Sequence, residues 1–139
     1  MLKIELLEWE GAQREAMRIR FTVFVEEQRV PADLEMDEND AHCVHALAYA
    51  DGQAIGTGRL LPDGHIGRMA VLKEWRGQGA GRAMLRGLID AARRSGHREV
   101  ALSAQVHAVE FYRDEGFEPE GAVYEEAGIP HQAMRRKLC

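Results

Sequence analysis

Residues 74–85 read EWRGQGAGRAML, with Gly77, Gly79 and Gly81 at alternate positions directly before a helix-like run. This stretch constrains the fold more than any other. Each glycine loses more conformational freedom on folding than any other residue, so three of them at one strand-to-helix junction need a compensating gain. Such a junction leaves unbonded N–H groups at the helix start, where the helix dipole favours an anion. Glycine also lets the backbone approach phosphate oxygens and take positive φ at no steric cost.

The flanking pattern gives an α+β chain. Leu2, Ile4 and Leu6 alternate with Lys3 and Glu5, which predicts a strand. After Gly11, the spacing of Met17, Phe21, Phe24 and Val25 predicts a helix near 12–26. RVPADLEMDEND then reads as a loop, with five carboxylates between 33 and 40. Three strands of a meander follow: 42–50, 53–61 and 65–72. Asp51-Gly52 is a hairpin signal and Pro62-Asp63-Gly64 a second turn. Beyond the glycines, Met84, Leu85, Leu88, Ile89 and Ala92 make one apolar stripe, and Gly96 is a stop. A strand at 98–104, a short helix ending at Gly116, and strands at 117–126 and 131–138 complete the order β α β β β α β α β β. The 139 residues suit one domain, 1–139.

Of three phosphate-loop readings, two fail on residues. A Walker A loop requires Lys-Ser/Thr after its last glycine, and Arg82-Ala83 stand there. A dinucleotide fingerprint is spaced G-x-G-x-x-G and opens a βαβ unit. Here the spacing is G-x-G-x-G, after a meander. The third fits. Arg76-x-x-Gly79-x-Gly81 resembles the R/Q-x-x-G-x-G/A signature of the GNAT acetyltransferases. MAVLKEWRGQGAGRAML resembles that family's strand, loop and helix, and AVEFYRDEGFEP its next helix and strand. VFVEEQRVP, Ala104-Gln105 and Ala127-Gly128-Ile129-Pro130-His131 are similar to the ElaA-like branch of the family.

The resemblance implies the GNAT fold, a mixed and mostly antiparallel sheet flanked by helices. It implies acetyl-CoA as donor and a small-molecule primary amine as acceptor, joined in a ternary complex. The coenzyme would contact Met69, Ala70 and Val71 along a bulged strand. Its pyrophosphate would meet Arg76, Gly77, Gln78, Gly79, Ala80, Gly81 and Arg82. A backbone N–H at or near Val71 would polarise the thioester carbonyl. Tyr112 would be the general acid that protonates the departing thiolate. The acceptor amine must lose a proton, and Glu27, His131, Glu26 or a water chain are the candidates to receive it. Gln105 and His107 stand where many relatives carry an Asn. A protein or peptide N-acetyltransferase and a non-catalytic acyl-CoA binding or sensing module are the alternatives left open.

Remaining features exclude more than they add. A net charge of −5 argues against a general nucleic-acid binder. No apolar run reaches the roughly 20 residues of a membrane span, and the N-terminus is too charged for a signal peptide. Two cysteines imply no disulfide framework, which fits a reducing cytoplasm. No His/Cys spacing suits zinc, and His42 and His45 would face opposite sides of a strand. Asp33-x-Glu35-x-Asp37 opens like a calcium loop but lacks glycine at its sixth position and glutamate at its twelfth. The acidic stretch is a solvated loop or a lure for a cationic amine. Cys43 and Phe111 read as core, and Arg59 and Arg68 as cleft or surface residues. Edge strands allow a homodimer.

Overall fold

The computed structural model describes residues 2–32 and 38–138, so the calcium-loop-like stretch 33–37 lies outside the described residues. Seven strands form one sheet: β1 (Leu2–Leu7), β2 (Val44–Ala50), β3 (Gln53–Leu60), β4 (His65–Val71), β5 (Glu99–Gln105), β6 (Glu118–Glu126) and β7 (Ile129–Lys137). Their order is β1-β2-β3-β4-β5-β7-β6. All neighbours are antiparallel except β4 and β5. The β2–β3 hairpin turns through Asp51 (φ 53°) and Gly52 (φ 80°), the two positive values that a tight two-residue turn requires.

Helices α1 (Trp9–Arg20) and α2 (Ala80–Arg94) cover opposite faces of the first half of the sheet. Alternation along β2 explains how. Leu47 packs on Ala12 and Ala16 of α1, while Ala46 and Ala48 share a core with Met84, Leu85, Leu88 and Ile89 of α2. The expected apolar stripe of α2 is fully buried. A third, short helix, α3 (Val109–Asp114), packs beside β5 and β6 and ends at Gly116, φ 93°.

The first helix differs from expectation at both ends. It begins at Trp9 and runs through Gly11, which sits in the first turn, where its N–H bonds only to Glu8. At the other end α1 continues into a seven-residue π-helical turn, Phe21–Glu27. Gln28 N–H reaches back to Val23 C=O at 3.0 Å, and the chain then reverses at Arg29, φ 63°.

Two findings concern polar residues. His42 lies in a 3₁₀ turn, Glu38–His42, and not on a strand. His45 is buried, and its Nε2–H donates to Asp40 C=O at 2.9 Å. Arg59, read as a cleft or surface residue, does border the cleft but is buried, held against the Asp40 carboxylate at 2.8 Å, which also takes two bonds from Arg20 at 3.0 and 3.1 Å.

Candidate active site

The site starts from an irregularity in β4. Thr57 pairs with Ala70 and Arg59 with Gly67, so Arg68 and Met69 together oppose the single residue Gly58. This is a β-bulge, and Arg68 carries it at φ 52°. Across from the bulge stands a glycine, and a Cβ on Gly58 would run into the Met69 thioether, which would have to move aside.

Past the bulge β4 loses its second neighbour. It pairs with β5 only at His65–Ala101 and Ile66–Leu102, while β5 continues along β7 from Glu99 to Gln105. The C-terminal halves of two parallel strands therefore part, and a cleft of about 910 Å³ opens between them. Leu72 N–H donates to Ile55 C=O on β3 at 2.8 Å. Strand alternation then turns the N–H and C=O of Val71 toward the opposite edge, the one that faces the cleft.

A second cavity of about 370 Å³ adjoins the first, floored by Gly77, Gly79, Ala80 and Gly81. Gly77 (φ 79°) and Gly79 (φ 91°) are both left-handed, which answers why glycine stands at each. A Cβ on either would meet nothing within 4 Å, so the loop presents bare backbone to open space. Gly81 is helical, and its missing Cβ faces the Phe111 ring at 3.7 Å. Gly79 caps α2 through its C=O, which accepts from Ala83 at 3.0 Å. The first-turn N–H groups of α2 thus face this cavity. An unobstructed cradle of N–H groups at a helix start fits a pyrophosphate.

The cationic side chains near this cradle are engaged elsewhere. Arg76 donates from Nε to Val71 C=O at 2.9 Å, and from its two terminal nitrogens to Glu27 at 2.6 and 2.7 Å. Arg82 lies 3.3 Å from the buried Glu115 carboxylate, which Arg86 also holds at 2.8 Å. Of the five guanidinium N–H groups of Arg76, two remain to donate to a ligand.

Tyr112, Glu27 and His131 all line the large cleft, although they come from α3, the π turn and β7. The Tyr112 ring is wedged edge-on between Phe111 and Phe117 at 5.0 and 5.9 Å. Its desolvation pushes the phenol up to about 12, so the hydroxyl stays protonated. Glu27 is different. The Arg76 hydrogen bonds hold its carboxyl below the usual carboxylate range, which makes it a poor acceptor for an ammonium proton. His131 is buried, and its Nδ1–H donates to Ile129 C=O at 2.7 Å. That bond fixes the tautomer and leaves Nε2 as an acceptor, with the Glu126 carboxylate 3.9 Å away.

Other polar contacts at the site come from residues with no motif of their own. Gln105 at the end of β5 donates to Gln28 at 2.8 Å, and the Ser103 hydroxyl bonds that of Tyr124. Tyr124 in turn stacks on His131 at 6.2 Å. Phe111, expected in the core, lines both cavities. A strand alternation argument would have placed Ser103 and Gln105 on one face of β5, but nothing local pairs either with its partner.

The comparisons agree with this geometry. Residues 10–138 match the model of an acetyltransferase (GNAT) domain. YyaT of Bacillus subtilis is 34% identical over 99% of this chain and 97% of its own. ElaA of Escherichia coli is 31% identical over 88% of this chain and 85% of its own, and its crystal structure superposes with a TM-score of 0.86. An acyl-CoA N-acyltransferase from Pseudomonas aeruginosa is 33% identical, covers 98% of this chain and 99% of its own, and gives a TM-score of 0.86. With its bulged β4, its parted β4–β5 seam and its glycine cradle, the chain belongs to the GNAT family of acetyltransferases, alongside ElaA.

Proposed function

We propose that this acetyltransferase moves an acetyl group from acetyl-CoA directly to the primary amine of a small molecule, with both substrates in the cleft at once. The parting of β4 from β5 directly above the glycine cradle carries this reading. It supplies an anion seat at one end and a free strand edge leading from it into a cleft that holds an acid and a base.

The roles follow from the contacts. Backbone N–H groups of residues 77–82 take the pyrophosphate, and the two free N–H groups of Arg76 add positive charge. The segment Met69–Val71 lies along the pantetheine arm, with Val71 N–H on its open edge and Ala70 turned to its pairing with Thr57 on β3. Val71 N–H, aimed into the cleft, carries the negative charge that develops on the thioester oxygen, an effect worth roughly 3 kcal/mol of barrier. His131 Nε2 accepts the proton that the amine sheds as its new C–N bond forms, and the Glu126 carboxylate stabilises the imidazolium. As the C–S bond breaks, Tyr112 gives its proton to the thiolate and regains one from solvent. Its raised pKa keeps that proton in place until the thiolate charge appears beside it.

Thermal unfolding in parallel with acetyl-CoA, CoA, NAD and ATP, followed by an amine panel, tests the reading. A ligand at 100 times its Kd stabilises by about 2.7 kcal/mol. Shifts with acetyl-CoA and CoA only, then release of CoA thiol with one amine class, are the expected result. A larger shift with NAD or ATP overturns it.

A further inference from the structure

The open mouth of the cleft is bridged by side chains. Val71 ends β4 and Gln105 ends β5, and these are the two termini that the splay drives apart. Arg76 ties itself to Val71 C=O and, through two charge-assisted bonds, to Glu27. The next residue, Gln28, accepts from Gln105. The chain of contacts thus runs from β4 through Arg76, Glu27, Gln28 and Gln105 to β5, with no strand pairing. Its middle is the end of the π turn. A π turn advances the chain differently from an α turn and is common at functional sites. Here it brings Glu27 and Gln28, adjacent in sequence, to opposite sides of the gap.

We propose that Glu27 is a positioning residue: with Gln28 it straps the parted ends of β4 and β5 together and aims Arg76 at the coenzyme, rather than taking a proton from the acceptor amine. This rests on the acetyl-CoA reading above. The bidentate bonds fix the guanidinium plane, so its two remaining N–H groups present one orientation to the pyrophosphate. The depressed Glu27 pKa supports the same role, since a carboxylate held by arginine keeps its charge and gives up basicity. Both side chains are over a third exposed, so the strap orients the site at little cost to the fold.

The test is calorimetric titration of CoA into the wild type, Glu27→Gln, Arg76→Gln, the double variant and Gln105→Ala, with pH profiles of kcat for the active ones. Binding by the wild type checks the coenzyme reading itself; if it fails, that reading falls first and by a separate result. The strap predicts that Glu27→Gln weakens CoA about tenfold and that the double variant binds no worse than Arg76→Gln alone. Gln105→Ala weakens CoA severalfold, Glu27→Asp restores part of the loss, and the shape of the kcat profile is unchanged in Glu27→Gln. CoA affinity within twofold of wild type in Glu27→Gln overturns the proposal. So do fully additive losses in the double variant, and so does loss of the profile's acidic limb, which would make Glu27 the proton acceptor.

Discussion

Two arginine–carboxylate clusters, Arg20–Asp40–Arg59 and Glu27–Arg76, interleave in sequence and do opposite work. Asp40 holds Arg20 and Arg59 with every side chain under a tenth exposed, and His45 donates to its backbone. Glu27 holds Arg76 in the same bidentate fashion, yet both side chains are more than a third exposed. The exposed pair has the shorter bonds, 2.6 and 2.7 Å against 2.8, 3.0 and 3.1 Å, so bond length does not decide which cluster holds the fold. Solvent does. A buried pair depends on its partners because no water replaces them, whereas an exposed pair trades protein for water at little cost. The Asp40 cluster ties α1 to β3 and the 3₁₀ turn. The Glu27 pair sets the cleft and leaves the core untouched. The prediction is a division in which one cluster governs stability and the other the site.

The largest expected effect breaks the first cluster. Asp40→Ala leaves two buried guanidinium groups without that carboxylate, a loss of about 3–5 kcal/mol. Thermal denaturation should show the midpoint falling by about 10–20 °C. Coenzyme affinity measured well below that midpoint should stay near wild type. A midpoint within a few degrees of the parent would mean the cluster is as dispensable as a surface pair.

Tyr112→Phe sharpens the other side. The residue lines the cleft and its hydroxyl bonds no described residue, so its removal costs the fold nothing beyond its packing. Turnover should fall by about 10²–10⁴-fold, the usual contribution of a positioned acid. Steady-state rates beside a CoA titration decide it. Loss of CoA binding along with turnover would make Tyr112 a wall of the pocket and not its acid.

His45 gives a smaller effect with a defined sign. Burial lowers its pKa below 6.5, with the cationic Arg20 and Arg59 nearby, against the opposing pull of Asp40. The unfolded chain therefore binds a proton as pH drops through about 6.5, while the folded one does not. Stability should be full above that value and decline below it, at no more than about 1.4 kcal/mol per pH unit. Melting curves from pH 7.5 to 5.5 should flatten in His45→Gln. An identical slope in the two proteins would place the acid sensitivity elsewhere.

These clusters also mark where the sequence was readable. Gly77 and Gly79 could be understood in advance because positive φ at a helix entrance has nearly one residue that suits it. The apolar stripe of α2 was readable because burial on one face imposes a period. The bulge was expected through the family resemblance alone, since its left-handed position falls to Arg68, a residue that carries no such signal. The π turn was not readable, because the apolar spacing of Phe21, Phe24 and Val25 suits an ordinary helix equally well. Glu27 was visible as a charged residue near the cleft, which made it a candidate base. Its partner lies 49 residues away, and only the folded chain brings Arg76 to it. The burial of Arg59 was hidden for the same reason, because it depends on Asp40 arriving from another element.

The smallest effect concerns the stability carried by Glu27 itself. Its folded pKa is depressed, so whatever it contributes is present above the ordinary carboxylate value of 4.5 and fades as pH falls through the lower folded value. Solvent screening at this exposure limits that contribution to below about 1 kcal/mol. Glu27→Gln should therefore melt within about 4 °C of wild type at pH 7, and the two curves should merge once the pH falls below the depressed folded value. Added salt should shrink the gap further, because the pair is exposed, while leaving the Asp40→Ala deficit nearly intact. A Glu27→Gln deficit that rivals that of Asp40→Ala and resists salt would erase the distinction between the two clusters. The strap across β4 and β5 would then be part of the fold's framework, and the weaker coenzyme binding of its variants would follow from lost structure and not from a misaimed arginine.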